Sequence, residues 1–451
     1  MIVQNVIPQE MRLYVSRVAN FKIQAVKLMP VNSTSFVAGD NISFNLPTNT
    51  IIDTRSFSPC FTIQALAGPA WHGPAEHFIK SLTVSFSNGR QETINDYSIV
   101  WECVRDWTMS SDHLESRSVY SGDYVKHFTY LAGLTSAPLA VSTDTAQSQA
   151  ELTSGAELIG LATATGNVSL QVRHIPQYLL QNAYKVVNVS SWLGILDSIG
   201  YIDMNFAPSL TVSWIANDNN CLGGSSVTYA GSALFATINI LTMPQYSDSV
   251  LELLSSGESM LNYVFTRWNI TTAGVGAGTQ QNINFQVASS CLKRIWVTFR
   301  RGTADAQGAL LYAQYLKKYH FSSSEATSGA ISQVQLSLNN QFVDAYPRLL
   351  ANIPFETARA LGKLNYNDSD SLVENYYQAL NAKFACVYNF SIPNGDQSEM
   401  SGYDTLDTSV NGIVVIDQTA AMNPLTGFFH VIAESAGVIS IGSGRDLNIS
   451  Y

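Results

Sequence analysis

The side chains in this sequence that could do covalent or metal chemistry are few, and their spacing is wrong for it. Ala433-Glu-Ser435-Ala-Gly437 has the outline of a nucleophile elbow. A serine of that kind sits on a sharp turn that opens a helix, with its hydroxyl presented to a base. Here the flanks, Phe428-Phe-His-Val-Ile432 and Val438-Ile-Ser-Ile441, read as strand. The seven histidines (His72, His77, His113, His127, His174, His320, His430) contain no HExxH pair. His72 and His77 flank a Gly-Pro turn and are expected to be solvated. Five cysteines (Cys60, Cys103, Cys221, Cys291, Cys386) are an odd number without CxxC spacing, which fits reduced, buried thiols. Leu361-Gly362-Lys363-Leu lacks the upstream glycine of a phosphate loop. Gly274-Val-Gly-Ala-Gly278 has no helix after it and reads as a flexible loop. Asn217-Asp-Asn-Asn and Asn365-Tyr-Asn-Asp-Ser-Asp370 lack the glycine and distal glutamate of a calcium loop, so turn chemistry is their better explanation. No catalytic, cofactor-binding or metal site is expected, and a jelly-roll enzyme of the cupin type would need clustered histidines that the chain does not show.

The elements that such residues would need are strands. Charged residues are 13% of the chain, against about 25% in ordinary globular proteins. Long helices carry Glu and Lys on their wet face, so a chain rich in Ser, Thr, Asn, Gln and Gly favours strands and loops. A net charge of −10 speaks against wrapping nucleic acid with the whole surface. Alternation marks strands at 21–29, 41–46, 60–65, 168–174, 201–206, 210–215, 234–241, 282–287, 292–299, 384–390, 412–416 and within 428–442. Tyr97, Val100 and Val104 recur at helical spacing within 94–107, and short helices are expected at 9–18, 247–254 and 371–380.

One short piece of the chain occurs twice. Ser81-Leu-Thr-Val-Ser-Phe-Ser-Asn88-Gly89 and Gln333-Val-Gln-Leu-Ser-Leu-Asn-Asn340-Gln341 are both alternating strands that break at an asparagine-led turn. The offset is 252 residues (333 minus 81), just over half of 451, which predicts a duplicated domain. Asn88-Gly89 and Asn339-Asn340 are the expected hairpin turns. Asn217–Ser226 is the best linker, giving an N-terminal arm at 1–20, a first β-sandwich at 21–222 and a second at 223–451. The arm and the first strand hold Arg12, Arg17, Lys22 and Lys27 against Glu10 alone, a cationic stretch suited to an anionic surface. Thr135–Gly155 is small, polar and aperiodic, and reads as an exposed loop. The start of the sequence lacks the pattern of a signal peptide.

With these pieces in place the chain resembles the double jelly-roll major capsid proteins of adenovirus-like viruses, tailless bacteriophages and nucleocytoplasmic large DNA viruses. The resemblance lies in the order of short motifs. Leu234–Leu241, Tyr246–Leu254, Met260–Trp268 and Lys293-Arg-Ile295-Trp296-Val297 match the start of the family's second roll. Leu336-Ser-Leu-Asn-Asn340, Val387-Tyr-Asn-Phe-Ser391 and Ser401-Gly402-Tyr-Asp404-Thr-Leu-Asp407 follow in order, and Tyr201–Ile215 around Pro208 matches the close of the first. The resemblance implies an all-β fold of two consecutive eight-stranded antiparallel jelly rolls with short helices in the connecting loops. It implies a structural protein without cofactors that trimerises into pseudo-hexagonal capsomers of an icosahedral virion assembled inside the host cell. The partners it implies are further copies of the chain, minor capsid and penton proteins and, through the arm, an internal membrane or the genome. The alternative is a two-domain β-sandwich that binds glycans or mediates attachment, for which Trp71 and Trp192 are the tryptophans left to loops.

Overall fold

The computed structural model describes residues 22–67, 74–109, 158–162, 168–172, 185–222, 228–242, 260–300, 319, 321–324, 329–362, 379–380, 383–392, 401–406, 410–422, 427–442 and 446–451. The first half supplies β1 (Lys22–Leu28), β2 (Asn41–Asn45), β3 (Ile51–Ala67), β4 (Ile79–Phe86), β5 (Gln91–Ile94), β6 (Tyr201–Asp203), β7 (Leu210–Ala216) and β8 (Thr228–Thr242). They form two sheets in the orders β1-β8-β3-β6 and β2-β7-β4-β5. The second half supplies β9 (Leu261–Gly274), β10 (Gln280–Val287), β11 (Leu292–Arg300), β12 (Ile331–Leu338), β13 (Gln341–Phe342), β14 (Cys386–Asn389), β15 (Val410–Gln418) and β16 (Phe428–Ile441). Their orders are β9-β16-β11-β14 and β10-β15-β12-β13. Adding eight to each strand number of the first roll reproduces the second. Every pairing on these paths is antiparallel. Among the described residues the architecture is thus two eight-stranded frameworks in tandem, a double jelly roll, with short added strands at Phe36–Val37 and Lys185–Asn188 in the first and at Arg348–Leu349 and Leu447–Ser450 in the second.

Alternation explains why these segments are strands. β10 runs Gln-Gln-Asn-Ile-Asn-Phe-Gln-Val with every second residue buried, and β4 does nearly the same. One face meets the opposing sheet and the other meets water, as an antiparallel sandwich requires. Where inner faces crowd, a glycine makes room. Phe285 lies directly opposite Gly412, and a Cβ there would come 2.1 Å from the Phe285 ring. The ring covers backbone that no side chain of position 412 could occupy.

The repeated segment is the fourth strand of each roll, β4 and β12, eight residues each and offset by the same 252 (331 minus 79). The two asparagine turns therefore join the fourth strand to the fifth in both rolls. Their geometries differ. Gly89 N–H donates to the Phe86 carbonyl and Gly89 has φ +84°, giving a three-residue turn with the glycine as the bulge. Asn339 and Asn340 have φ +51° and +63°, and Leu338 faces Gln341, a two-residue mirror-image turn.

Three helices matter: α1 (Tyr97–Thr108), α2 (Ile195–Ser198) and α3 (Ile353–Ala360). The periodicity in 94–107 is α1, whose residues from Tyr97 to Trp107 are all buried. Several boundaries differ from the sequence reading. That reading places residues 228–242 in the second roll, but they hydrogen-bond β3 and β1, so the division falls between residues 242 and 260. The Asn217–Ser226 turn chemistry is genuine at its start, where 219–222 form a 3-10 turn, yet it separates two strands of one roll. The strand at 60–65 belongs to a 17-residue strand whose first half carries Asp53, Thr54, Arg55 and Ser56, which hide its alternation. Thr135–Gly155, the segments 9–18 and 247–254, and most of 371–380 lie outside the described residues.

Candidate functional site: the seam between the rolls

Helix α1 carries polar side chains that ordinary amphipathic helices turn to water. Here they are buried. His77 Nε2 lies 2.8 Å from Glu102 Oε2, Arg105 donates to Glu102 Oε1 at 2.6 Å, and Asp106 Oδ1 is 3.7 Å from Arg105. The solvated position expected for His77 is not what the fold gives it. The 3-10 turn at Ala75–Phe78, led by Pro74, folds it against α1, fully buried. Tyr319, from the second half of the chain, stacks on the His77 ring at 3.6 Å. Asn217 donates to the His77 carbonyl at 2.7 Å and to Ser98 Oγ at 3.1 Å, so this asparagine is a buried bracket as well as a turn residue. At the other end of α1, the Trp107 indole donates to the Lys383 carbonyl at 2.8 Å. Charges without water are tolerable only when paired and hydrogen-bonded, and this cluster is both. It fastens one roll to the other.

A second group of contacts joins the hairpin of β4 and β5 to β9 and to the C-terminal residues 447–451. The Asn88 amide donates to the Leu447 carbonyl at 2.9 Å, and the Tyr451 hydroxyl to the Gln91 carbonyl at 3.1 Å. Glu92, 4% exposed, has Oε1 3.6 Å from Arg267 Nε, and the Arg267 guanidinium lies 4.1 Å above the Tyr451 ring. Burial pushes the Glu92 carboxyl up to about 7, against the pull of Arg267 and a hydrogen bond from Tyr451. Thr266 N–H donates to Ser198 Oγ at 2.9 Å beside it. Between the two groups a cavity of about 290 Å³ is lined by Trp101, Trp192, Trp268, Arg105 and Glu434, among others.

The remaining chemistry-bearing residues take structural places. Ser435 is buried inside β16, and its neighbour Glu434 accepts from Arg294 at 3.0 Å and from the Trp296 indole at 3.1 Å. His430, on the same strand, has Nδ1 2.9 Å from Thr272 Oγ1, and burial, followed by the Arg300 charge, pulls its ring down to about 3. The Gly274–Gly278 loop is a tight connection held by Gln281, which accepts from Gly276 N–H and donates to the Gly278 carbonyl, both at 2.8 Å. Gly362 closes α3 at φ +72°. Among the described residues no three His, Cys, Asp or Glu side chains are grouped to hold a metal ion, and Cys60, Cys103, Cys221, Cys291 and Cys386 are free thiols. Trp192 is core, its indole donating to the Phe57 carbonyl at 2.7 Å, while Trp71 lies outside the described residues.

Of the cationic arm, Arg12 and Arg17 lie outside the described residues. Lys22 and Lys27, just beyond the arm, are in β1, opposite Thr242 and Thr237, and Lys27 Nζ sits 4.2 Å above the Phe235 ring. The seam itself is not legible in the sequence. Its one signal is the unusual density of Glu102, Arg105 and Asp106 within an otherwise apolar helix.

No protein-family model matches the chain, and no curated protein matches it. Solved structures do. The PBCV-1 virus capsid matches with a TM-score of 0.59 at 11% identity, over 98% of this chain and 100% of that one. The Faustovirus major capsid protein matches with a TM-score of 0.57 at 8% identity, over 98% and 94%. The chain shares with these proteins the double jelly-roll fold.

Proposed function

We propose that this chain is a structural subunit of a viral shell, a major capsid protein, three copies of which form a pseudo-hexagonal capsomer in an icosahedral virion. The observation that carries this reading is the repeated strand order: the described residues form two rolls of one topology, and the chain aligns with the PBCV-1 virus capsid over 98% of its length. Six similar rolls from three copies tile a hexagonal lattice, and a three-fold ring closes through heterologous contacts. The glycan-binding alternative loses one of its two tryptophans, since Trp192 is in the core, and keeps Trp71, outside the described residues. Light scattering on purified protein tests the reading. A mass of three copies is expected, and a folded monomer at micromolar concentration would overturn it.

The same reading assigns partners: other capsomers, minor capsid and penton proteins, and an anionic surface inside the shell, a membrane or the genome, for Arg12 and Arg17. Each exposed pair contributes at most about 1 kcal/mol. Deleting residues 1–18 should leave the trimer mass unchanged and impair closure of shells, scored by electron microscopy. Normal shells from the deletion would exclude the arm's role.

A further inference from the structure

An asparagine followed by a glycine is the pair most prone to deamidation, because glycine has no Cβ to shield the main-chain nitrogen that attacks the side-chain amide. The chain has three such pairs: Asn88-Gly89, Asn394-Gly395 and Asn411-Gly412. Asn394 lies outside the described residues. The other two meet opposite surroundings. Asn411 is on β15, the strand held between β10 and β12. Its Oδ1 accepts from Gln286 at 3.3 Å, its carbonyl accepts from the Asn339 N–H at 3.2 Å, and Gly412 is buried beneath Phe285. Asn88 and Gly89 are exposed to water at the β4–β5 turn, on the rim of the seam.

We propose that Asn88 is a site of spontaneous deamidation and that opening of the seam between the rolls sets its rate. The groups that must react are each engaged. Gly89 N–H donates to the Phe86 carbonyl at 3.0 Å, and Asn88 Oδ1 accepts from the Arg90 N–H at 3.2 Å. Both bonds lie within the hairpin. The third bond crosses the seam: Asn88 Nδ2 donates to the Leu447 carbonyl at 2.9 Å. While it lasts, the side-chain amide cannot swing onto the Gly89 nitrogen. Tyr451 keeps the crossing closed, with its hydroxyl on the Gln91 carbonyl and its ring under Arg267. Local opening of such a rim needs less free energy than unfolding a roll. Once it opens, the Gly89 nitrogen attacks Asn88 Cγ. The N–Cγ bond forms, the Cγ–Nδ2 bond breaks, and Nδ2 leaves as ammonia with the proton that the Gly89 nitrogen gives up. Water then opens the five-membered imide at one carbonyl or the other, leaving aspartate or isoaspartate. Either product lacks the donor that met Leu447. Aspartate sets a carboxylate against that carbonyl, acceptor against acceptor, and isoaspartate adds a methylene to the main chain of a three-residue turn. The change is therefore one-way: opening permits the reaction, and the product disfavours closing. None of this rests on the capsid reading.

Peptide mapping by mass spectrometry tests it on the full chain, incubated in mildly alkaline buffer with and without concentrated urea. Asn411 is the internal control. In urea both asparagines should convert at like rates, because glycine follows each. In the native chain Asn88 should convert more slowly than in urea, yet ahead of Asn411 by at least about tenfold. Tyr451→Ala leaves Asn88 and Gly89 untouched and removes the ring and hydroxyl that close the seam. It should speed conversion at Asn88 about 5–30-fold, the weight of one or two lost contacts, and leave Asn411 as it was. Native Asn88 converting as fast as in urea would show that the seam does not hold it. Asn88 and Asn411 converting equally slowly would show that only global unfolding exposes them, which also overturns the proposal. So would a natively folded Tyr451→Ala chain, judged by circular dichroism, with an unchanged rate at Asn88. Should that variant lose its fold, wild type in urea below its unfolding midpoint decides the matter. Conversion at Asn88 should climb there while Asn411 stays still, and a parallel rise at both would refute the gate.

Discussion

Glu92 loses its water on folding and gains a guanidinium 3.6 Å away. Burial dominates, so the folded carboxyl binds its proton more tightly than the unfolded one, with the folded value raised from 4.5 to about 7. The linkage sign follows: the folded state holds the extra proton between these values, so stability falls as pH rises through that window and is level above it. At about 1.4 kcal/mol per unit the full swing is about 3 kcal/mol. Glu92→Gln should therefore stabilise the protein relative to wild type more at pH 8 than at pH 5, measured as urea midpoints. An equal effect at both would show that the ion pair, not burial, sets this site. Glu102 is buried with its partners in place, His77 at 2.8 Å and Arg105 at 2.6 Å. Glu102→Ala removes the nearest carboxylate of buried Arg105, leaving Asp106 at 3.7 Å, and should cost about 3–5 kcal/mol, read by thermal unfolding.

Among the elements, turns and glycines give the cleanest tests. A Cβ added to Gly89 would meet only open space, but the residue sits at φ +84°, so Gly89→Val is penalised by backbone strain alone, about 1–3 kcal/mol. Asn340→Gly should be neutral or stabilising, since Asn-Gly is the preferred pair in a two-residue mirror-image turn. Gly412→Ala should cost about 1–3 kcal/mol because Phe285 has to move; chemical denaturation measures all three. The same elements explain what the sequence discloses. Alternation and turn residues are local, so β4, β10 and β12 with their hairpins can be read directly. Which strand pairs with which is decided by distant contacts, so a local reading attaches β8 to the wrong roll. The seam needs both long-range pairing and buried charge, and a residue such as His77 carries no local sign that Tyr319 will cover it. Helix α3 escapes the periodicity reading although Pro354 stands in its first turn, a start signal present in the sequence.

For the whole molecule, closure of the first roll depends on β8, which lies between β1 and β3. A fragment ending at residue 242 should show a cooperative thermal transition with the circular dichroism of strands, and one ending at 222 should not. Equal behaviour of the two would mean that β8 is dispensable to the roll. The same topology has a consequence for synthesis. Lys22 must wait for Thr242, 220 residues later (242 minus 22). At roughly 5–20 residues per second, the ribosome delivers that partner about 10–45 s after β1 emerges. The second roll repeats the delay between Leu261 and Ile441, 180 residues (441 minus 261). On a crowded polysome, neighbouring nascent chains display the same unpaired first strand at the same time. Each roll therefore carries an open first strand until its last strand has been made, and bare strand edges are prone to pair with the wrong chain.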